Sequence, residues 1–171
     1  MVTRHAATRR LRDLLHTVTR RVLLAASARD HIEAICRQEH HGLETGGILL
    51  GHEHADGHLS VTTAGGPGPR AERTPTSFHR DAEHARALAR DAHARDASVW
   101  VGEWHTHPTG PSHPSPTDLR TYFDIVRDPA ETFDAFVALI VLPDNVRLLF
   151  FAWVVTAQAA ELSPLWVRQP D

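Results

Sequence analysis

The sequence predicts a single α/β domain in which a mixed β-sheet is covered by helices. Three observations point there. Short strand-like apolar runs are interspersed with segments of helical period along the whole chain, the pattern of a layered sheet-and-helix architecture. The 171 residues suit one domain and one core, and no internal repeat divides them. Hydrophobic residues make up 42% and charged residues 23%, an ordinary globular balance.

The elements follow in order. Residues 1–19 carry Arg4, Arg9, Arg10 and Arg12 with few acids, and read as a basic arm or short helix ahead of a domain spanning 20–156. Val22, Leu23 and Leu24 suggest an edge strand over 20–26. Ser27 can cap a helix running to about residue 41, with Ile32, Ile35 and Cys36 on one face and Gly42 as its stop. Residues 44–51 read as a buried strand around the unbroken run Ile48-Leu49-Leu50. A turn at Asp56-Gly57 leads to a strand over 58–63. Residues 64–77 are rich in Gly, Pro and Arg, lack an apolar period, and read as a long loop. Ala82, Ala85, Leu88, Ala89 and Ala92 give 78–95 a helical period. Residues 98–104 form a strand and 108–114 a proline-rich loop. Ser115-Pro116-Thr117-Asp118 then opens a helix with a cap, a first-turn proline and an acid at the positive end. Leu119, Tyr122, Phe123 and Val126 supply its buried face. Runs over 135–142 and 146–155 form a hairpin turning at Pro143-Asp144-Asn145, and residues 157–171 are left as a tail.

Composition excludes several functions. The formal net charge of −3 offers no whole-molecule attraction to nucleic acid or to an anionic membrane. No apolar run is long enough to span a bilayer. A single cysteine, Cys36, rules out an intrachain disulfide and fits a reducing cytoplasm, and the basic N-terminus lacks the apolar core of a secretory signal. All 18 basic residues are arginine, as codon usage in a GC-rich genome produces.

The chemistry gathers after the 98–104 strand. His105 and His107 are i and i+2, which in a strand face one way roughly 6.6 Å apart. Two imidazoles so spaced can converge on one ion. Pro108 ends the strand, and Asp118 in the following helix can come back towards them. Two histidines and a carboxylate leave one position of a tetrahedral zinc open, the arrangement of a catalytic site. Taken singly, each residue reads as a strand-end histidine or a helix cap; the combined spacing carries the signal. His52-Glu53-His54 also has the His-x-His form but has no third ligand nearby and reads as a solvated turn. His40 and His41 closely precede Glu44, and His113, inside the proline-rich loop, could approach the site but reads as solvent-facing. Glu103 shares the parity of His105, either orienting a ligand or lying at the surface, whereas Trp104 has the parity of a core residue.

His105-Thr106-His107-Pro108 with Ser115-Pro116-Thr117-Asp118, preceded by Glu44-Thr45-Gly46-Gly47-Ile48-Leu49-Leu50-Gly51, resembles the signature of the JAMM metalloproteases, the JAB or MPN-plus domain, in its bacterial branch. The resemblance covers roughly residues 20 to 155. It implies a curved, mostly antiparallel mixed sheet flanked by helices, related to the cytidine-deaminase fold. It implies Zn²⁺ on His105, His107 and Asp118, Glu44 as general base, and Ser115 as a donor to the oxyanion. Zinc lowers the pKa of a coordinated water to about 7, and Glu44 is ionised at neutral pH. The implied substrates are ubiquitin-like modifiers, cut after their C-terminal glycine, with activating and conjugating enzymes of the same operon as partners, some in antiviral defence. A protein beside such machinery gains by offering no lysine acceptors. A zinc deaminase is excluded, since that chemistry needs a Pro-Cys-x-x-Cys pair. The remaining alternatives are a non-catalytic scaffold of the same fold and a nucleic-acid binder using the arginine-rich arm.

Overall fold

Two strands at the middle of the sheet are apolar on both faces. In the computed structural model, β2 (Gly46–Glu53) and β7 (Phe136–Pro143) each bury six residues in a row, which only a strand covered on both sides sustains. The structure describes residues 20–38, 42–130, 134–144 and 146–168. The basic arm, His40, His41 and Asn145 lie outside the described residues.

Between β2 and β7 runs β6 (Val99–Thr106). Beyond β2 come β3 (Leu59–Ala64), β1 (Val22–Ala25) and β10 (Leu165–Arg168). Beyond β7 come β8 (Leu148–Val155) and β9 (Ala160–Ser163). The pairings β2–β3, β2–β6, β7–β8 and β8–β9 are antiparallel, whereas β1–β3, β1–β10 and β6–β7 are parallel. The sheet is therefore mixed with an antiparallel majority, as the family resemblance implies.

Its curvature follows from connectivity. β9 and β10 lie at opposite ends of the strand order, yet only Pro164 separates them. Successive Cα atoms are about 3.8 Å apart, so the sheet must curl until its ends meet. β10 accordingly lies alongside β8, and Pro164 O accepts a hydrogen bond from Val22 N–H at 3.0 Å. Ser163 donates its hydroxyl to Arg20 O. The outcome is a nearly barrel-like sheet. β1 is thus not an edge strand: Val22 and Leu24 are 1% and 0% exposed between β3 and β10. Residues assigned to the tail supply that cover as β10, a strand too short to show a period.

Helix α1 (Ala26–Gln38) fills the enclosed face, burying Ala28, Ile32 and Cys36 against Leu24, Leu49, Trp104 and Leu139. It starts directly from β1 at Ala26, leaving Ser27 within its first turn. Gly42, the predicted stop, has φ +66°, a conformation glycine adopts readily. Helices α2 (Ala82–Asp96) and α3 (Pro116–Arg127) cover the outer face, α2 against Ile48 and Leu50, α3 through Tyr122 against Phe136 and Val155.

α2 begins four residues later than its apolar period suggests. Asp81 caps it, accepting from Glu83 and His84 N–H at 3.1 and 3.2 Å. The stretch read as a loop over 64–77 is also more ordered than its composition implies. Gly65 donates to Ile48 O and accepts from the Trp104 indole, both at 2.8 Å. A Cβ on Gly47 would lie 2.0 Å from Gly65 O, so only glycine permits this approach. The chain then forms a small hairpin, β4 (Glu72–Thr74) with β5 (Ser77–His79). Among the described residues no helix is long and apolar enough to cross a membrane.

Ile32 is 0% exposed at the centre of the enclosed face. Ile32→Ala is expected to destabilise the protein by about 2–5 kcal/mol, the usual range for such a core truncation, as read by urea unfolding.

Candidate metal centre

Strand register delivers the two histidines. His105 pairs with Ile140 in the parallel β6–β7 ladder, and His107 N–H extends that ladder to Val141 O at 3.0 Å. The β2–β6 ladder shifts register between Leu49 and Leu50, opposite Val101. Beyond that shift Trp104 faces the enclosed core, and His105 faces outward beneath α3. His105 and His107 are 6% and 5% exposed. Their Nε2 atoms lie 2.9 Å apart. Two imidazole lone pairs cannot face each other at that distance without a proton or a cation between them.

Asp118 completes the group from the first turn of α3. Its Oδ2 lies 3.5 Å from His105 Nε2 and 3.7 Å from His107 Nε2. Bonds of 2.0–2.1 Å in a tetrahedron set neighbouring ligand atoms about 3.3–3.4 Å apart. The separations of 2.9, 3.5 and 3.7 Å bracket that value, so the three side chains fit one metal ion. Among the described residues, this is the group of His, Cys, Asp or Glu side chains that could hold one.

Each of the three candidate ligands is held by a second contact. His107 Nδ1 lies 2.7 Å from Pro111 O; as a donor there, it leaves Nε2 with its lone pair. His105 Nδ1 lies 3.3 Å from the Tyr122 hydroxyl. Burial pushes the Tyr122 phenol well above its ordinary pKa, so it stays neutral. Asp118 and Ser115 form a capping box. Ser115 N–H donates to Asp118 Oδ2 at 2.7 Å, and Asp118 N–H donates to Ser115 Oγ at 3.2 Å. Burial opposes ionisation of Asp118, but its hydrogen bonds with His105, His107 and Ser115 outweigh it and hold the carboxyl well below the usual range.

Glu44 arrives from the other side. Gly46 pairs with His105, and that antiparallel register, continued, sets Glu44 opposite His107. Thr45 N–H donates to Thr106 Oγ1 at 2.9 Å, Thr106 N–H donates to Thr45 O at 2.8 Å, and Glu44 N–H donates to Thr74 O at 2.8 Å. A Cβ on Gly46 would lie 2.9 Å from both His105 Cβ and Phe78, so glycine keeps this face open. The Glu44 carboxyl is half-buried within electrostatic reach of His105, His107 and Asp118. Burial raises its pKa, against the pull of the two histidines.

The structure thus brings Glu44, His105, His107, Ser115 and Asp118 to one end of the sheet. The other candidates lie elsewhere or have other partners. His54 stacks on His58 with ring centroids 3.9 Å apart and bonds Ser60 Oγ at 2.8 Å, while His52 reaches Ser98 Oγ at 3.4 Å. These are polar contacts around the β2–β3 hairpin. His113 is exposed, edge-on to Trp153. Glu103 is largely buried in an ion pair with Arg80, whose guanidinium lies 5.4 Å over the Trp100 ring. Sequence reasoning placed Tyr122 in the core and missed its hydroxyl; a buried tyrosine oxygen needs a partner, and that was the available signal. The Pro111 carbonyl left no signal, because it comes from the backbone.

A curled mixed sheet bearing two strand-end histidines and a helix-capping aspartate defines a JAB-type α/β domain with a candidate metal centre. Residues 25–163 match the family described as prokaryotic homologs of the JAB domain, and the chain belongs to that family. It is 34% identical over 119 residues to a probable metalloprotease, y4qB, of Sinorhizobium fredii, covering 67% of this chain and 71% of that one. It is 35% identical over 89 residues to a CD-NTase/cGAS isopeptidase of Escherichia coli, covering 50% of this chain and 56% of the relative. A Vibrio cholerae protein of the same name matches at 35% over 89 residues. The chain spans about half the length of these isopeptidases. The solution structure of protein DSY2949 from Desulfitobacterium hafniense shares the fold, with a TM-score of 0.67 at 18% identity, covering 87% of this chain and 94% of that one.

A carboxyl whose folded pKa is raised destabilises the fold once it ionises. That cost appears as pH rises through the Glu44 pKa and is absent below the ordinary glutamate range. Metal-free Glu44→Gln is therefore expected to melt above metal-free wild type at pH 7, with the gap closing at pH 4.

Proposed function

We propose that the protein is a zinc-dependent isopeptidase or peptidase that cleaves after the C-terminal glycine of a ubiquitin-like protein, releasing it from a conjugate or trimming its precursor. The convergence of His105, His107 and Asp118 beside Glu44 carries this reading. Relatives named isopeptidase and metalloprotease support the hydrolase activity. The CD-NTase/cGAS isopeptidase names support a modifier protein as partner and a defence setting; activating and conjugating enzymes as further partners and a cytoplasmic location are part of the proposal.

The two histidine Nε2 atoms and Asp118 Oδ2 would hold the zinc. Bound there, zinc supplies a Lewis acid for the scissile carbonyl and makes water a nucleophile at neutral pH. Glu44 accepts the proton of the attacking water and delivers it to the leaving amine. The role suits a half-buried carboxylate whose charge meets that of the ligands. Ser115 Oγ uses a lone pair to cap α3, which leaves its O–H proton for the developing oxyanion. Tyr122 and the Pro111 carbonyl keep the imidazoles aimed.

An extended C-terminal tail fits the ground beside Glu44. Thr74 O, on β4, accepts the Glu44 N–H, so the β4–β5 hairpin flanks the carboxylate and presents short exposed strands to which a peptide can add. The first half of the 64–77 stretch is fixed by its bonds to β2 and β6. The second half, in the hairpin, is the part we assign to covering the tail.

The purified protein is expected to hold about one zinc per chain, and His107→Ala to lose it, by metal analysis. Glu44→Gln should retain zinc yet fail to cleave a ubiquitin-like fusion protein, and turnover by this variant would refute the base assignment. Ser115→Ala should lower kcat by about 10²–10³-fold, read in the same cleavage assay.

A further inference from the structure

We infer that Trp153 is a positioning residue for the metal centre, acting through the 108–114 loop to set the orientation of His107. The inference rests on the reading that His107 is a metal ligand.

The loop is short of internal restraint, since Pro108, Pro111 and Pro114 have no N–H to give. Two hydrogen bonds in series define its course instead. His107 Nδ1 lies 2.7 Å from Pro111 O. The Trp153 indole N–H donates to Ser112 O, the next carbonyl, at 2.9 Å. The loop also lies tight against the imidazole: a Cβ on Gly110 would come within 3.1 Å of His107 Cβ and 3.2 Å of its Nδ1. A displacement of Ser112 is therefore passed through Pro111, its chain neighbour, to the ring.

Trp153 is a firm post for this purpose. It belongs to β8, paired with Ala138 of β7 on one side and Leu162 of β9 on the other. Its ring packs on the outer face with Phe136, Ala138 and Val155, and His113 meets it edge-on at 6.4 Å. One end of the relay is thus anchored in the sheet, and the other ends on the nitrogen that determines whether Nε2 offers a lone pair. Losing the outer partner of a metal-bound histidine typically lowers metal affinity about 10–100-fold.

Trp153→Phe keeps an aromatic ring at a half-buried position and removes the donor. Zinc affinity is measured by competition with a chromophoric chelator, and coordination geometry by the visible spectrum of the cobalt(II) form. Because Pro111 O itself remains, the expected result is the low end of that range, a loss of zinc affinity of about tenfold, with altered cobalt bands. A purely structural tryptophan would lower the melting temperature and leave those bands in place. Wild-type protein that takes up no metal overturns the metal reading and this inference together. Wild type that binds, beside a folded Trp153→Phe with equal affinity and an identical cobalt spectrum, overturns this inference alone. Should that variant not fold, the wild type decides, because coupling is reciprocal. Zinc should then slow hydrogen exchange of the Trp153 indole proton, and equal exchange with and without zinc overturns the relay.

Discussion

The pairing of Gly46 with His105 joins two strands more than fifty positions apart and places Glu44 and both imidazoles by register. From that point Glu44 falls opposite His107, and Thr45 and Thr106 close the ladder, Thr106 N–H donating to Thr45 O and Thr45 N–H to the Thr106 hydroxyl oxygen. On the other side of β6, pairing with β7 fixes the height of both imidazoles. A one-residue slip would turn the histidines into the core and bring Trp104 to the surface, at the cost of an unburied indole and buried unpaired imidazoles. The apolar content of β2 and β7 therefore protects the geometry of the site as much as the stability of the fold.

Asp118 shows how closely folding and chemistry are shared. One of its oxygens accepts the Ser115 N–H that starts α3 and also faces both imidazoles. The carboxylate satisfies a helix terminus, meets the positive end of the helix dipole and closes the metal group. Because the helix starts where the cap requires, the side chain needs no separate device to orient it. The neighbouring Glu103–Arg80 ion pair has a different part, offsetting the charge of a largely buried carboxylate on the same face.

The parts of the site that were legible in the sequence are those set by local spacing. Two histidines at i and i+2 share a strand face, and Ser-Pro-x-Asp is a helix start wherever it occurs. The same holds for Trp104, whose parity alone predicts burial. Partnerships between distant segments were not legible. Arg80 lies 23 positions before Glu103, and nothing in either neighbourhood marks the pairing. Trp153 and Ser112 are 41 positions apart, and the acceptor is a carbonyl that any residue would supply. Strands β4, β5, β9 and β10 are only three or four residues long, too short for alternation to register. The start of α2 was misplaced because Phe78 stands four positions before Ala82 and fits the helical period, whereas the chain there is still in β5 and Asp81 is the cap.

The single-residue link at Pro164 has a kinetic consequence. Val22 and Leu165 are ladder partners although they stand at opposite ends of the described chain. Contacts that far apart close late, since the intervening chain must first give up its freedom. On the ribosome, β1 can find β3 soon after both emerge, but its second neighbour is made only after the ligand-bearing segment has been synthesised. The seam is thus the last stitch, drawn around a reactive end whose strands are already in place.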